Sequence, residues 1–172
     1  VPIQTVTVGS GGSASIAFTN IPQNYTDLVI KVSARNTVVD NAMQVQFNSS
    51  ASSYSNRILF GNGSIAQTNV PGGGNSTIGY INYSNDTAST FSNTEIHIPN
   101  YSGSANKSYS SDSVHENSAT TAYDIFLAGV WSNTSAITSI SLTAYGGNFA
   151  QYSTATLYGI KNATKNLSLI HI

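Results

Sequence analysis

Residues 122–160 narrow the folds open to this chain more than any other stretch. They hold three apolar runs, Ala122–Trp131, Ala136–Ala144 and Ser153–Ile160, each rich in β-branched and aromatic residues and bounded by Ser, Asn or Gly clusters. Runs of this length and composition read as strands, and their succession predicts an antiparallel meander. In the first run Tyr123, Ile125, Leu127 and Trp131 share one phase, and Phe126, Ala128 and Val130 share the other. Side chains alternate across a strand, so both faces of this one are apolar. A strand of that kind is expected inside a sandwich with protein on both sides.

The same two-residue period runs through the rest of the chain. Ile3–Val8 and the Ala14, Ile16, Phe18 face flank Gly9–Gly12 and predict an opening hairpin, followed by a turn at Asn20–Asn24 around Pro22. Asp27–Asn36 sets Leu28, Ile30, Val32 and Ala34 inward and Lys31, Ser33 and Arg35 outward. Ala42–Asn48 repeats the scheme, with Met43, Val45 and Phe47 against Gln44 and Gln46. Tyr54–Gly61 is a further strand, and residues 62–75, with Pro71 and Gly72–Gly74, read as one long loop. Ser76–Tyr83 and Thr90–Ile98 resume the pattern, with Pro99 closing the second. Lys107–Glu116 has only Tyr109 and Val114 as large apolar residues, and so is expected at a sheet edge with a wet outer face. About ten or eleven short strands without a helical stretch predict an all-β fold. The expected form is a single antiparallel β-sandwich of jelly-roll type over residues 1–166.

Composition removes several functional classes. Charged residues make up 8% of the chain and the net charge is −1, so clustered Lys and Arg for nucleic acid or an anionic membrane are missing. No apolar run approaches the roughly 20 residues that span a bilayer as a helix. Without cysteine there is neither a disulfide framework nor a thiolate metal site. Neither cofactor nor metal is expected.

Candidate chemistry is sparse. Glu95 and His97 stand two apart on one strand face, a spacing open to two metal ligands or an acid/base pair, and equally to a solvated outer face. Asp112, His115 and Glu116 form a second polar cluster, weakened because neighbours 115 and 116 point to opposite faces. No nucleophile elbow accompanies the many serines, and the glycine runs lack the Lys-Ser/Thr of a phosphate loop. An enzyme is therefore not expected. Trp131 and the ten tyrosines offer rings that could stack on sugars, or could simply close the ends of the sandwich. Asn-x-Ser/Thr triplets recur from Asn24 to Asn133; in a secreted eukaryotic protein they would mean glycans, and in a chain so rich in Asn, Ser and Thr many arise by chance.

Three segments, Thr90–Tyr101, Trp131–Leu142 and Gln151–Ile160, together with Tyr25–Leu28 and Val32–Arg35, resemble a family of uncharacterised structural proteins of tailed bacteriophages abundant in aquatic viral metagenomes. The resemblance implies a virion protein displayed on the particle surface, and it carries no catalytic residue. Two expectations follow. One is a capsid decoration or head-fibre protein that self-associates, with a trimer favoured, and binds other virion proteins of the shell. The other is a tail-fibre or receptor-binding module that recognises host surface glycans.

The second apolar phase of the first run, Phe126, Ala128 and Val130, points independently to a homo-oligomer, because one sandwich has little surface to cover it. At the far end, Leu167–Ile172 matches in frame the codons of a transposase adapter used in short-read sequencing. It is expected to be a tail foreign to the fold, which leaves His171 out of any site.

Overall fold

The structure is a computed structural model, and it describes residues 1–69, 76–117 and 121–161. The expected tail, Leu167–Ile172, and the glycine run Gly72–Gly74 lie outside those residues. The described residues form twelve strands: β1 (Pro2–Thr7), β2 (Ser15–Phe18), β3 (Asp27–Ala34), β4 (Ala42–Phe47), β5 (Tyr54–Gly61), β6 (Ala66–Asn69), β7 (Thr77–Tyr80), β8 (Ser92–Pro99), β9 (Lys107–Asn117), β10 (Thr121–Trp131), β11 (Ile140–Ala144) and β12 (Thr154–Ile160). They form an eight-stranded sheet, β1-β12-β3-β8-β9-β10-β5-β6, and a four-stranded sheet, β2-β11-β4-β7. Every pairing between these strands is antiparallel. No helix occurs among the described residues. The all-β sandwich is thus the fold, and the jelly-roll subtype stays an expectation. One strand more than expected comes from β6, hidden inside the stretch read as a loop.

The inward phases of β3, β4 and β8 are those that the alternation predicts. Leu28, Ile30, Val32 and Ala34 are buried, as are Met43, Val45 and Phe47, and Thr94, Ile96 and Ile98. The four-stranded sheet packs against the inner face of the larger one, with an aromatic cluster between them. Phe47 of β4 meets Tyr109 of β9 edge-on and Trp131 of β10 at a tilt, both with ring centroids 5.6 Å apart. The Tyr54 hydroxyl accepts from the Phe47 N–H at 2.7 Å, which ties the sheets directly. A Cβ at Gly129 would stand 2.1 Å from the Tyr109 ring. Only glycine lets that tyrosine lie flat across β10.

Pairing overturns three local expectations. The runs of residues 122–160 are strands but not a meander: β10 pairs with β9 and β5, β11 with β2 and β4, and β12 with β3 and β1. The connection after Trp131 crosses to the other sheet and is held there by Asn48, whose Oδ1 accepts from the Thr138 N–H at 2.8 Å. The opening hairpin is also absent. β1 joins β12 and β2 joins β11, and the left-handed Gly11 and Gly12 (φ 92° and 77°) steer the chain between sheets.

The third correction concerns β9, which is central rather than an edge, with β8 and β10 on its two sides. Its inner face is Lys107, Tyr109, Ser111, Ser113 and His115, all buried. β7, an edge strand of the small sheet, lies over β8, β9 and β10 and pairs with part of this polar face, while the Tyr109 hydroxyl, Ser113 Oγ and His115 Nδ1 are buried there without a hydrogen-bond partner. Ser111 Oγ donates to the Ile78 carbonyl. Asn56 Nδ2, from β5, donates to the Thr77 carbonyl at 2.9 Å. Gly79 permits this approach, since a Cβ there would come within 2.5 Å of Ser113 Oγ. At the other end of β9 the Lys107 ammonium donates to the Gly103 carbonyl at 2.7 Å and to that of Ala105. Burial holds its pKa below the usual lysine value.

Candidate functional site

Two surfaces stand out, one on each side of the larger sheet. The outer surface gathers four of the five residues singled out from the sequence. Antiparallel register places Lys31, Glu95, Asp112, Phe126 and Leu59 in one row across β3, β8, β9, β10 and β5. The adjacent row is His97, Ser110, Ala128 and Arg57. Small Ser110 and Ala128 form the floor of a groove of about 440 Å³ whose walls include Phe126, Leu59, Glu95 and His97. Phe126 is 49% exposed and Leu59, directly opposite it, 48%. Val130 and Val114 continue the exposed apolar surface. Among the described residues the second phase of β10 therefore meets no covering layer, contrary to the expectation of a strand covered on both sides.

Charge on this face is arranged in pairs. Glu95 forms an ion pair with Lys31, both about half exposed. His97 Nε2 lies 3.8 Å from Asp27 Oδ2. Burial, and then the like charge of Asp124, raise the pKa of Asp112 above the usual carboxylate value. Among the described residues no three His, Asp or Glu side chains come close enough together to hold a metal. Glu95 and His97 do share a face, as their spacing implies, but each faces a different partner.

Trp131, the fifth residue, points the other way. It is 1% exposed and packs against Phe47 and Tyr54, so it is a core residue with no face for a ligand.

The second surface is a cavity of about 330 Å³ on the inner side, at the β7 edge of the small sheet. Tyr123 of β10 and His115 of β9 are cross-strand partners and stack at 4.9 Å. Phe60 of β5 stacks on Tyr123 at 5.2 Å, which makes a three-ring column. Tyr80 of β7 meets His115 edge-on at 6.2 Å. Tyr83 completes the aromatic lining, and Asn41 and Gln67 add two amides. His115 is 4% exposed, and its Nδ1 has no hydrogen-bond partner. Burial lowers its pKa from 6.5 to about 4, against the opposing pull of the neighbouring Glu116 carboxylate. The ring is therefore neutral at physiological pH.

Tyr83 is held at this cavity by a clamped loop. Arg35 Nη1 donates to the Thr87 carbonyl at 2.8 Å and Nη2 to the Asp86 carbonyl at 3.0 Å. From the other side Glu116 accepts from the Thr87 N–H at 2.9 Å and the Thr90 hydroxyl at 2.8 Å. Asp86 Oδ2 accepts from the Tyr83 N–H at 2.8 Å, closing the turn on which the ring sits. His115 and Glu116 do point to opposite faces, so the second polar cluster of the sequence divides between cavity wall and loop clamp, with Asp112 on the outer groove.

This cavity has no local signature in the sequence, because its lining comes from segments scattered between residues 41 and 123. The available signal was the excess of tyrosine, which does not say which rings converge. No family model, curated protein or solved structure matches this chain.

Proposed function

We propose that the chain is a non-enzymatic structural protein of a tailed-phage particle, a capsid decoration or head-fibre subunit that works by self-association and by binding the shell. The observation behind the self-association is the outer face of the large sheet. Phe126, Leu59, Val130 and Val114 are all more than a third exposed on one contiguous β surface. Contiguous apolar surface on a folded protein marks an interaction site far more often than isolated exposed residues do. The occupant that suits it is a second copy of the chain. Cations (Lys31, Arg57) and carboxylates (Glu95, Asp112, Asp124) lie on the same face, so symmetry-related copies can set one sign against the other around an apolar centre. Placement on a virion rests on the family resemblance.

Sedimentation equilibrium tests the self-association. The wild-type chain should form a discrete oligomer, with a trimer favoured, at micromolar concentration, and Phe126→Glu should be a folded monomer. A wild-type monomer at high micromolar concentration refutes the proposal. The genes flanking the coding sequence test the location: capsid and portal genes support decoration. Tail genes would instead favour the second reading, a receptor-binding tail-fibre module, to which the aromatic cavity lends support.

A further inference from the structure

We propose that the inner cavity bounded by Phe60, Tyr80, Tyr83, His115 and Tyr123 binds a neutral saccharide ring. The proposal does not depend on self-association, because the cavity and the outer apolar groove lie on opposite sides of the large sheet.

Three features of the lining define the ligand class. The first is shape and rigidity. At about 330 Å³ the cavity is at the lower end of small-molecule sites, a size suited to one or two sugar units. Its walls are fixed before any ligand arrives: the Phe60–Tyr123–His115 column has interplanar angles of 24° and 21°, and Tyr80 braces His115 at 80°. Tyr83 is held by the Arg35 and Glu116 clamp. Preformed walls reduce the ordering cost of binding.

The second feature is charge. Each lining side chain is aromatic, aliphatic or amide, and His115 is neutral at physiological pH. Arg35, the nearby cation, already donates to loop carbonyls. An anionic ligand such as a phosphate, a carboxylate or a sialic acid would be desolvated there without a counter-charge.

The third feature is the mixture of apolar rings with polar tips. A pyranose presents C–H bonds on its faces and hydroxyls around its rim. Aromatic surface accommodates the former, and the Asn41 and Gln67 amides and tyrosine phenols can pair with the latter. A purely apolar ligand would make no use of those donors and acceptors.

The test is titration of the purified chain with neutral sugars (glucose, galactose, N-acetylglucosamine and their short oligomers). Sialic acid and glucuronic acid serve as charged controls. The readouts are the His115 imidazole resonances in NMR and saturation-transfer signals from the sugar. At least one neutral sugar should shift the His115 resonances saturably, and the acidic sugars should not. Gln67 is exposed on β6, so Gln67→Ala should fold normally and weaken binding roughly 5–10-fold, as loss of one hydrogen bond does. Asn41→Ala should act in the same direction. Phe126→Glu should leave sugar binding intact, which separates this site from the oligomer face. The proposal is overturned if no neutral sugar moves the His115 resonances up to tens of millimolar. It is equally overturned if binding survives Gln67→Ala and Asn41→Ala together, or if acidic sugars bind as well as neutral ones.

Discussion

Lowering the pH from 7 to 5 should destabilise the fold by about 2 kcal/mol through a single side chain, His115. In the unfolded chain this imidazole titrates at its ordinary 6.5, and in the folded protein burial lowers the value to about 4. Between those values the unfolded state binds a proton that the native state refuses, so stability falls as pH drops through the window and levels off below about 4. One pH unit inside the window is worth about 1.4 kcal/mol, and the pH 6.5–7 region contributes little, which gives about 2 kcal/mol at pH 5 and roughly 3 at the limit. In a domain of this size that loss corresponds to a fall in Tm of about 4–8 °C. The groups facing the ring are Tyr123 and Tyr80, with the Glu116 carboxylate alongside as the attractive charge. Asp86 and Asp112 work in the opposite direction. Burial raises both, so the native state takes up their protons before the unfolded state does, which offsets part of the loss at the acid end. Urea unfolding of the wild type and of His115→Phe at pH 7, 6 and 5 isolates the effect. Phenylalanine keeps the stack on Tyr123, has no proton to bind and removes the unpaired Nδ1, so its pH dependence should be flatter by about 2 kcal/mol across this range. Equal slopes for the two proteins would show that the buried imidazole is not the acid-sensitive group.

Other substitutions probe the remaining features. Phe126→Glu should change stability by less than about 1 kcal/mol in urea unfolding, because half of the ring is already in water, while abolishing self-association in sedimentation. Arg35→Ala should cost roughly 2 kcal/mol and expose the amides of residues 84–90 to hydrogen exchange, since carbonyls bound to the guanidinium lose their donor. Gly129→Ala should cost roughly 1–3 kcal/mol and reduce the near-UV circular dichroism, because the new methyl group displaces Tyr109 from the cluster with Phe47.

The legible part of this fold was whatever depends on alternation alone. The buried phases of β3, β4 and β8 follow from residue order, because a half-buried strand cannot shift by one residue without exposing its core side chains. Pairing depends instead on which strands meet, and nothing local to Ala136–Ala144 says that it will cross to the small sheet. The misreading of β9 has a specific cause. Ser111 and Ser113 look like edge residues because serine usually faces water, yet here they face the β7 backbone, and small hydroxyls are what that close approach requires. For the candidate surfaces, spacing placed Glu95 and His97 together and put Phe126 and Val130 on one face, but it could not tell a covered face from an open one. Trp131 was open to a binding role until its neighbours were known.

Both candidate surfaces follow from one architectural imbalance, eight strands in one sheet facing four in the other. The small sheet is bounded by β7, which lies over β8, β9 and β10, whereas β5 and β6 continue the large sheet beyond it. Inner-face positions at that boundary cannot be closed by ordinary interdigitation of aliphatic side chains across two sheets. The sequence meets the boundary with large rings, Phe60, Tyr123, His115 and Tyr80, stacked on one another rather than on a facing strand. Rings packed edge and face leave a firm-walled space, and the cavity is that space. The same extra width leaves the outer face of the large sheet broad enough to hold an apolar row from Phe126 to Leu59 with charges around it. A substitution that fills the cavity and leaves the strand count as it is should therefore act on the cavity and not on the groove. Filling the inner boundary with Gln67→Trp should occlude the cavity and abolish sugar binding, with self-association and fold stability unchanged to within about 1 kcal/mol, since Gln67 is an exposed side chain. Simultaneous loss of the oligomer would show that the two surfaces are not independent consequences of the strand count.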